Sequence, residues 1–106
     1  MGKKSKRKGY RMEHEIEGIL RDSGIIAKRI PLSGSSWLKG DIFIELLNKG
    51  YVGEVKSRSE GFKEIYKWLS DKDFLFLRAD RKDFLIVMNI KTFLELVNGN
   101  KGNKNN

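Results

Sequence analysis

Two strand-like runs, Asp41 to Leu47 and Tyr51 to Lys56, stand on either side of Asn48-Lys49-Gly50, and they constrain the fold of this chain more than any other stretch. A short polar linker with a glycine available for a left-handed backbone position joins neighbouring antiparallel strands, so a β-hairpin is expected here. In Tyr51-Val52-Gly53-Glu54-Val55-Lys56 the strand period of two sets Glu54 and Lys56 on one face and Val55 on the other. Asp41 begins the preceding strand, and antiparallel pairing returns it to the end of the hairpin that carries Glu54 and Lys56. Two carboxylates and an amine within a hairpin are costly to bury unless they have partners or a task.

The other elements are read around this hairpin. From Tyr10 to Asp22 the residues Met12, Ile16, Ile19 and Leu20 recur at helical spacing, and Gly24 supplies a stop. At roughly 100° per residue, Glu13 falls at the edge of that apolar stripe, beside Leu20 and next to Glu17. Ile25 to Ile30 is a short β-branched strand ended by Pro31, and the loop Leu32-Ser33-Gly34-Ser35-Ser36 follows. Phe62 to Leu69 has helical spacing after the break at Gly61. Asp73 to Arg78 and Phe84 to Met88 are apolar runs, read as strands buried on both faces or at an interface, and Thr92 to Val97 is read as a closing helix. The resulting order, α-β-β-β-α-β-β-α, is that of an α/β fold with a mixed β-sheet flanked by helices. A chain of 106 residues holds one compact domain. Its expected boundaries are 1–9 as a basic flexible N-terminal arm, 10–97 as the folded domain and 98–106 as a disordered Asn/Lys/Gly tail.

Where the charge lies matters more than its total of +8. Residues 1–11 hold six basic side chains and no acid, 98–106 add two more, and the stretch between carries 14 of each sign. A neutral body with basic ends suits a polyanionic partner, and such binding weakens with salt. No apolar run approaches membrane-spanning length, and the basic start meets Glu13, His14 and Glu15 with no secretory core. The expected location is therefore cytoplasmic, neither secreted nor in a membrane. With no cysteine and a single histidine, His14, any metal site must be built from oxygen.

An oxygen-built site with a lysine beside it is what phosphodiester hydrolysis asks for. A hard cation such as Mg²⁺ needs oxygen ligands to polarise the phosphate and activate a water. Asp41 and Glu54 would supply carboxylates and Val55 a backbone carbonyl, while Lys56 would orient or deprotonate the water and neutralise developing charge. The competing reading of Glu54 and Lys56 is a surface ion pair worth about 0.2–1 kcal/mol.

The wider spacing resembles a known family. The stretch from about Lys6 to Arg58 reads Lys6-Arg7-Lys8-Gly9, Glu13, Arg29-Ile30-Pro31-Leu32-Ser33-Gly34, Gly40-Asp41 and Glu54-Val55-Lys56-Ser57-Arg58. This is similar to the archaeal-type Holliday junction resolvases, found in archaea and some viruses of thermophiles, within the PD-(D/E)XK nuclease superfamily. The resemblance implies a restriction-endonuclease-like fold, a homodimer, Mg²⁺ dependence with Mn²⁺ able to substitute, and branched four-way DNA as substrate. It further implies Glu13 as a helix-borne carboxylate near the metal, Ser33 as a loop residue at the scissile phosphate, Asp41 and Glu54 as metal ligands and Lys56 as the catalytic lysine. Gly40 stands where the superfamily has its proline, which is expected to loosen the approach to Asp41, and the stretch after Arg58 matches less well.

Lys6, Arg7, Lys8, Arg11, Arg29, Ser35, Lys39 and Arg58 are the expected DNA-binding residues, with Ser36 a further donor and Trp37 a possible stacking residue. Phe74, Leu75, Phe76, Leu77, Tyr66, Trp68 and Phe84 exceed what so small a domain can hide, which points to a homodimer. Two rival functions stay open. One is a nuclease of the same superfamily acting on flap, mismatched or linear duplex DNA, and the other is a non-catalytic basic nucleic-acid-binding module.

Overall fold

The structure, a computed structural model, describes residues 2–31 and 39–103, with side chains described for 9–31 and 39–99. Its elements are α1 (Gly2–Asp22), β1 (Ile26–Arg29), β2 (Ile42–Leu46), β3 (Lys49–Gly53), α2 (Lys63–Leu69), β4 (Phe74–Leu77), β5 (Leu85–Met88) and α3 (Ile90–Asn103). The class is α/β and the order is the one the sequence pattern predicts. The strands form a three-stranded sheet, β1-β2-β3, and a pair, β4-β5, with every ladder antiparallel. Each strand pairs with its neighbour in sequence, which needs only a short connection, whereas a parallel ladder needs a long crossover. Contacts divide the chain into two compact units, Met1–Ser57 and Arg58–Asn106.

In the first unit α1 begins at Gly2, well before the expected start at Tyr10. Lysine and arginine propagate a helix well and no proline interrupts them, so the stretch expected to be a flexible arm is a helical extension. The helix ends in a left-handed cap: Gly24 has φ +85°, Ile25 N–H donates to Leu20 O at 3.0 Å, and Gly24 N–H donates to Arg21 O at 2.9 Å. That turn delivers the chain into β1. The core is Leu20, Ile25, Ala27, Ile30 and Ile42, where α1 lies on the sheet. Removing these apolar side chains from water is what holds the helix to the strands.

Ile26 to Arg29 pair with Glu45 to Ile42, and Ile42 to Leu46 pair with Gly53 to Lys49. The β2–β3 turn is therefore Leu47-Asn48, with φ of 52° and 65°, starting one residue before the glycine-based turn expected at Asn48-Lys49-Gly50 and leaving Gly50 inside β3. Positive φ at both central residues is the conformation whose twist matches a two-residue hairpin. β3 consequently ends at Gly53, and Glu54 to Lys56 lie past the ladder instead of within it. Gly40, expected to loosen the approach to Asp41, is required by the backbone there: its φ is +142°, and a Cβ would run into Val52 Cγ1. Proline, fixed near −65°, has no place at such a position.

In the second unit, α2 packs on β4, and β4 pairs with β5 through Phe74↔Met88 to Leu77↔Leu85. None of its described residues is buried. α3 runs from Ile90 to Asn103, longer than the Thr92 to Val97 segment expected, and so takes in most of the stretch read as a disordered tail.

Candidate active site

Three backbone positions stand abreast at one end of the three-stranded sheet. Ile30 N–H donates to Asp41 O at 3.0 Å, and Asp41 N–H donates to Gly53 O at 2.9 Å. Continuing that register sets Asp41 opposite Glu54. Beyond the ladder the Asp41 side chain takes over from the backbone, since its Oδ2 accepts the Val55 N–H at 2.7 Å. A charge-assisted bond of that length fixes both the carboxylate and the segment that follows β3. Lys56 Nζ is 3.2 Å from Glu54 Oε2, and the two side chains are 56% and 58% exposed. Asp41 and the Glu54-Val55-Lys56 segment are thus tied at one end of the hairpin by a side-chain to backbone bond that the strand period did not reveal.

Glu13 sits on α1 with its side chain only 13% exposed, and its Oε1 lies 3.5 Å from Arg29 Nε, an ion pair rather than a tight hydrogen bond. The Arg29 guanidinium carbon lies 3.7 Å from the centre of the Tyr10 ring. Burial works against the Arg29 charge, but Tyr10 and the Glu13 carboxylate more than offset it and hold the pKa above the ordinary arginine value. Arg29 is therefore a cation at every working pH. Glu17, next to Glu13 on the same helix face, is used differently: its Oε2 accepts the Arg29 backbone N–H at 2.9 Å, and its Oε1 is 3.7 Å from His14 Nδ1. Among the described residues no three His, Cys, Asp or Glu side chains are grouped so as to hold a metal ion, so Glu13 is not gathered with Asp41 and Glu54.

Ser33, Ser35, Ser36 and Trp37 lie outside the described residues. Lys6, Arg7 and Lys8 belong to α1 in their backbone, with side chains outside the description. Arg11, Lys39 and Arg58 are exposed, as phosphate contacts must be. Sequence reasoning missed Tyr10 as Arg29's partner, although Tyr10, Glu13 and Glu17 stand at i, i+3 and i+7 of one helix, the spacing that would have pointed to it.

A helix leading into a three-stranded antiparallel meander, with Asp41 tied to the segment that carries Glu54 and Lys56, is an α/β arrangement in the order the sequence pattern predicts. The chain belongs to the archaeal Holliday junction resolvase (Hjc) family, whose model matches residues 4–68. It is accordingly a nuclease of the Holliday junction resolvase type, and the matched span runs from the basic start of α1 to α2. Neither the curated proteins nor the solved structures searched gave a match. No described helix is long and apolar enough to cross a membrane.

Proposed function

We propose that this resolvase is a Mg²⁺-dependent endonuclease that works inside the cell as a homodimer and resolves four-way DNA junctions by paired nicks. The observation that carries the reading is the 2.7 Å bond from Val55 N–H to Asp41 Oδ2, which binds the Asp41 carboxylate to the Glu54-Val55-Lys56 segment. The donors collected there are all hard oxygen, the Asp41 and Glu54 carboxylates and the Val55 carbonyl, and they fit Mg²⁺ or Mn²⁺ rather than a soft metal. Glu13 is a further oxygen from α1. When bound, the ion supplies Lewis-acid polarisation of the phosphodiester and makes water a better nucleophile.

The chain's own groups do the rest. Lys56, held 3.2 Å from Glu54, orients the attacking water and offsets charge building on the phosphate. Ser33 engages the scissile phosphate. Lys6, Arg7, Lys8, Arg11, Ser35, Lys39 and Arg58 contact the DNA backbone. The second unit, with Phe76, Phe84, Leu85 and Ile86 exposed, supplies apolar surface for a second copy, and two sites on a twofold axis suit one nick in each of two strands.

The test is cleavage of a four-way junction with and without Mg²⁺. Asp41→Asn and Lys56→Ala are each expected to lose about 100-fold or more in rate while still binding the junction. Full activity in either variant overturns the site assignment. Four-way, flap and linear substrates of matched sequence, titrated side by side, separate a junction enzyme from a nuclease of broader taste.

A further inference from the structure

Arg29 is held by three residues of one helix. The Glu17 carboxylate takes its backbone N–H at 2.9 Å and fixes where the residue sits. The Tyr10 ring lies 3.7 Å from the guanidinium carbon and fixes the plane of the head group. The Glu13 carboxylate faces Nε at 3.5 Å. A guanidinium laid on a ring and turned to a carboxylate is a brace, and the planar group is pre-organised for both contacts in a way a lysine is not. Tyr10 itself is 55% exposed, so core packing does not account for its place. The brace stands beside the candidate site, because the next residue, Ile30, donates its N–H to Asp41 O.

We propose that Tyr10 is a positioning residue of the cleavage site, its ring locking the Arg29 guanidinium so that Arg29 holds the Glu13 carboxylate on α1, one residue along from the Ile30 contact to Asp41. The proposal rests on the reading above that Glu13 belongs to that site. In this role Arg29 is turned inward and is not one of the phosphate contacts that its sequence position suggests.

The full chain is tested as Tyr10→Leu, Tyr10→Phe and Arg29→Lys, with Asp41→Asn as reference. Four quantities are read: Mn²⁺ affinity by calorimetry without DNA, junction cleavage rate, the salt dependence of junction binding in EDTA, and thermal midpoint. Tyr10→Leu is expected to lose about tenfold in both Mn²⁺ affinity and cleavage rate, as removal of an outer-shell partner does, with the midpoint and the salt slope of binding unchanged. Tyr10→Phe keeps the ring and restores both losses. Arg29→Lys matches Tyr10→Leu and leaves the salt slope as it was. The proposal is overturned if Tyr10→Leu binds Mn²⁺ and cuts like the parent, or if Tyr10→Phe fails as Tyr10→Leu does. It is equally overturned if Arg29→Lys lowers the salt slope by about 1, which would make Arg29 a phosphate contact. Full-rate cutting by Asp41→Asn instead removes the underlying site reading, whatever Tyr10 does.

Discussion

Leu47 is 86% exposed and has φ 52°, a left-handed backbone at a residue whose Cβ resists it and whose side chain gains no burial in return. For an ordinary L-residue that conformation costs about 1–2 kcal/mol, and asparagine adopts it more readily. Leu47→Asn should therefore stabilise the protein by about 0.5–1 kcal/mol and raise its thermal midpoint by a few degrees. An unchanged or lower midpoint would mean that Leu47 is covered in solution by something other than this chain. The same turn shows where single-residue reading stops. Gly50 looked like the left-handed residue of the hairpin, yet it lies in β3 opposite Glu45, and a Cβ there would come 2.7 Å from Phe43 Cε1. Its smallness makes room for a ring from the next strand, a requirement that exists only once the register is set.

The edge strand β1 is closed by side chains of α1. Arg21 Nε donates to Ala27 O at 2.8 Å, and two residues on, the Arg29 N–H donates to Glu17. Residues four apart on the helix thus serve alternate positions of the strand, and they cover backbone groups that an exposed edge would offer to another chain. Glu17→Ala leaves the Arg29 N–H without its acceptor and is expected to cost about 1–3 kcal/mol, read as a lower urea midpoint at constant slope. Glu17→Gln keeps an acceptor and should recover most of the loss; a Glu17→Ala protein as stable as the parent would remove this account. The elements were legible because period and punctuation are local: helical spacing from Met12 to Leu20, β-branching from Ile25 to Ile30, and the break at Gly61. Hairpin pairing likewise made it legible that Asp41 returns beside the segment after β3, but not that its carboxylate, and no ladder bond, ties it to Val55. The use of Glu17 as an edge cap and of Arg29 as a brace was not legible, because both depend on how a helix is laid over a strand, and a one-dimensional pattern records that only as the spacing of Tyr10, Glu13 and Glu17.

Apolar surface is distributed unequally along the chain. Every buried side chain among the described residues lies in the first unit, while the second leaves large apolar groups in water. In the β4–β5 pair, Phe76 stands directly opposite Ile86, and both are more than half exposed. Phe74 lies on the same face, its ring centre 6.3 Å from that of Phe76. A face with two phenylalanines and an isoleucine is costly to leave wet at about 25 cal/mol per Å², and a second copy of the chain that buries it converts the cost into association. Phe76→Glu places a charge at the centre of that face, where burial against a partner is penalised but exposure is not. On the homodimer proposed above, the variant should keep the parent's far-ultraviolet circular dichroism, sediment at lower mass than the parent, and lose junction cleavage that depends on two copies. If it sediments as the parent does, the β4–β5 face is not a contact between copies of this chain.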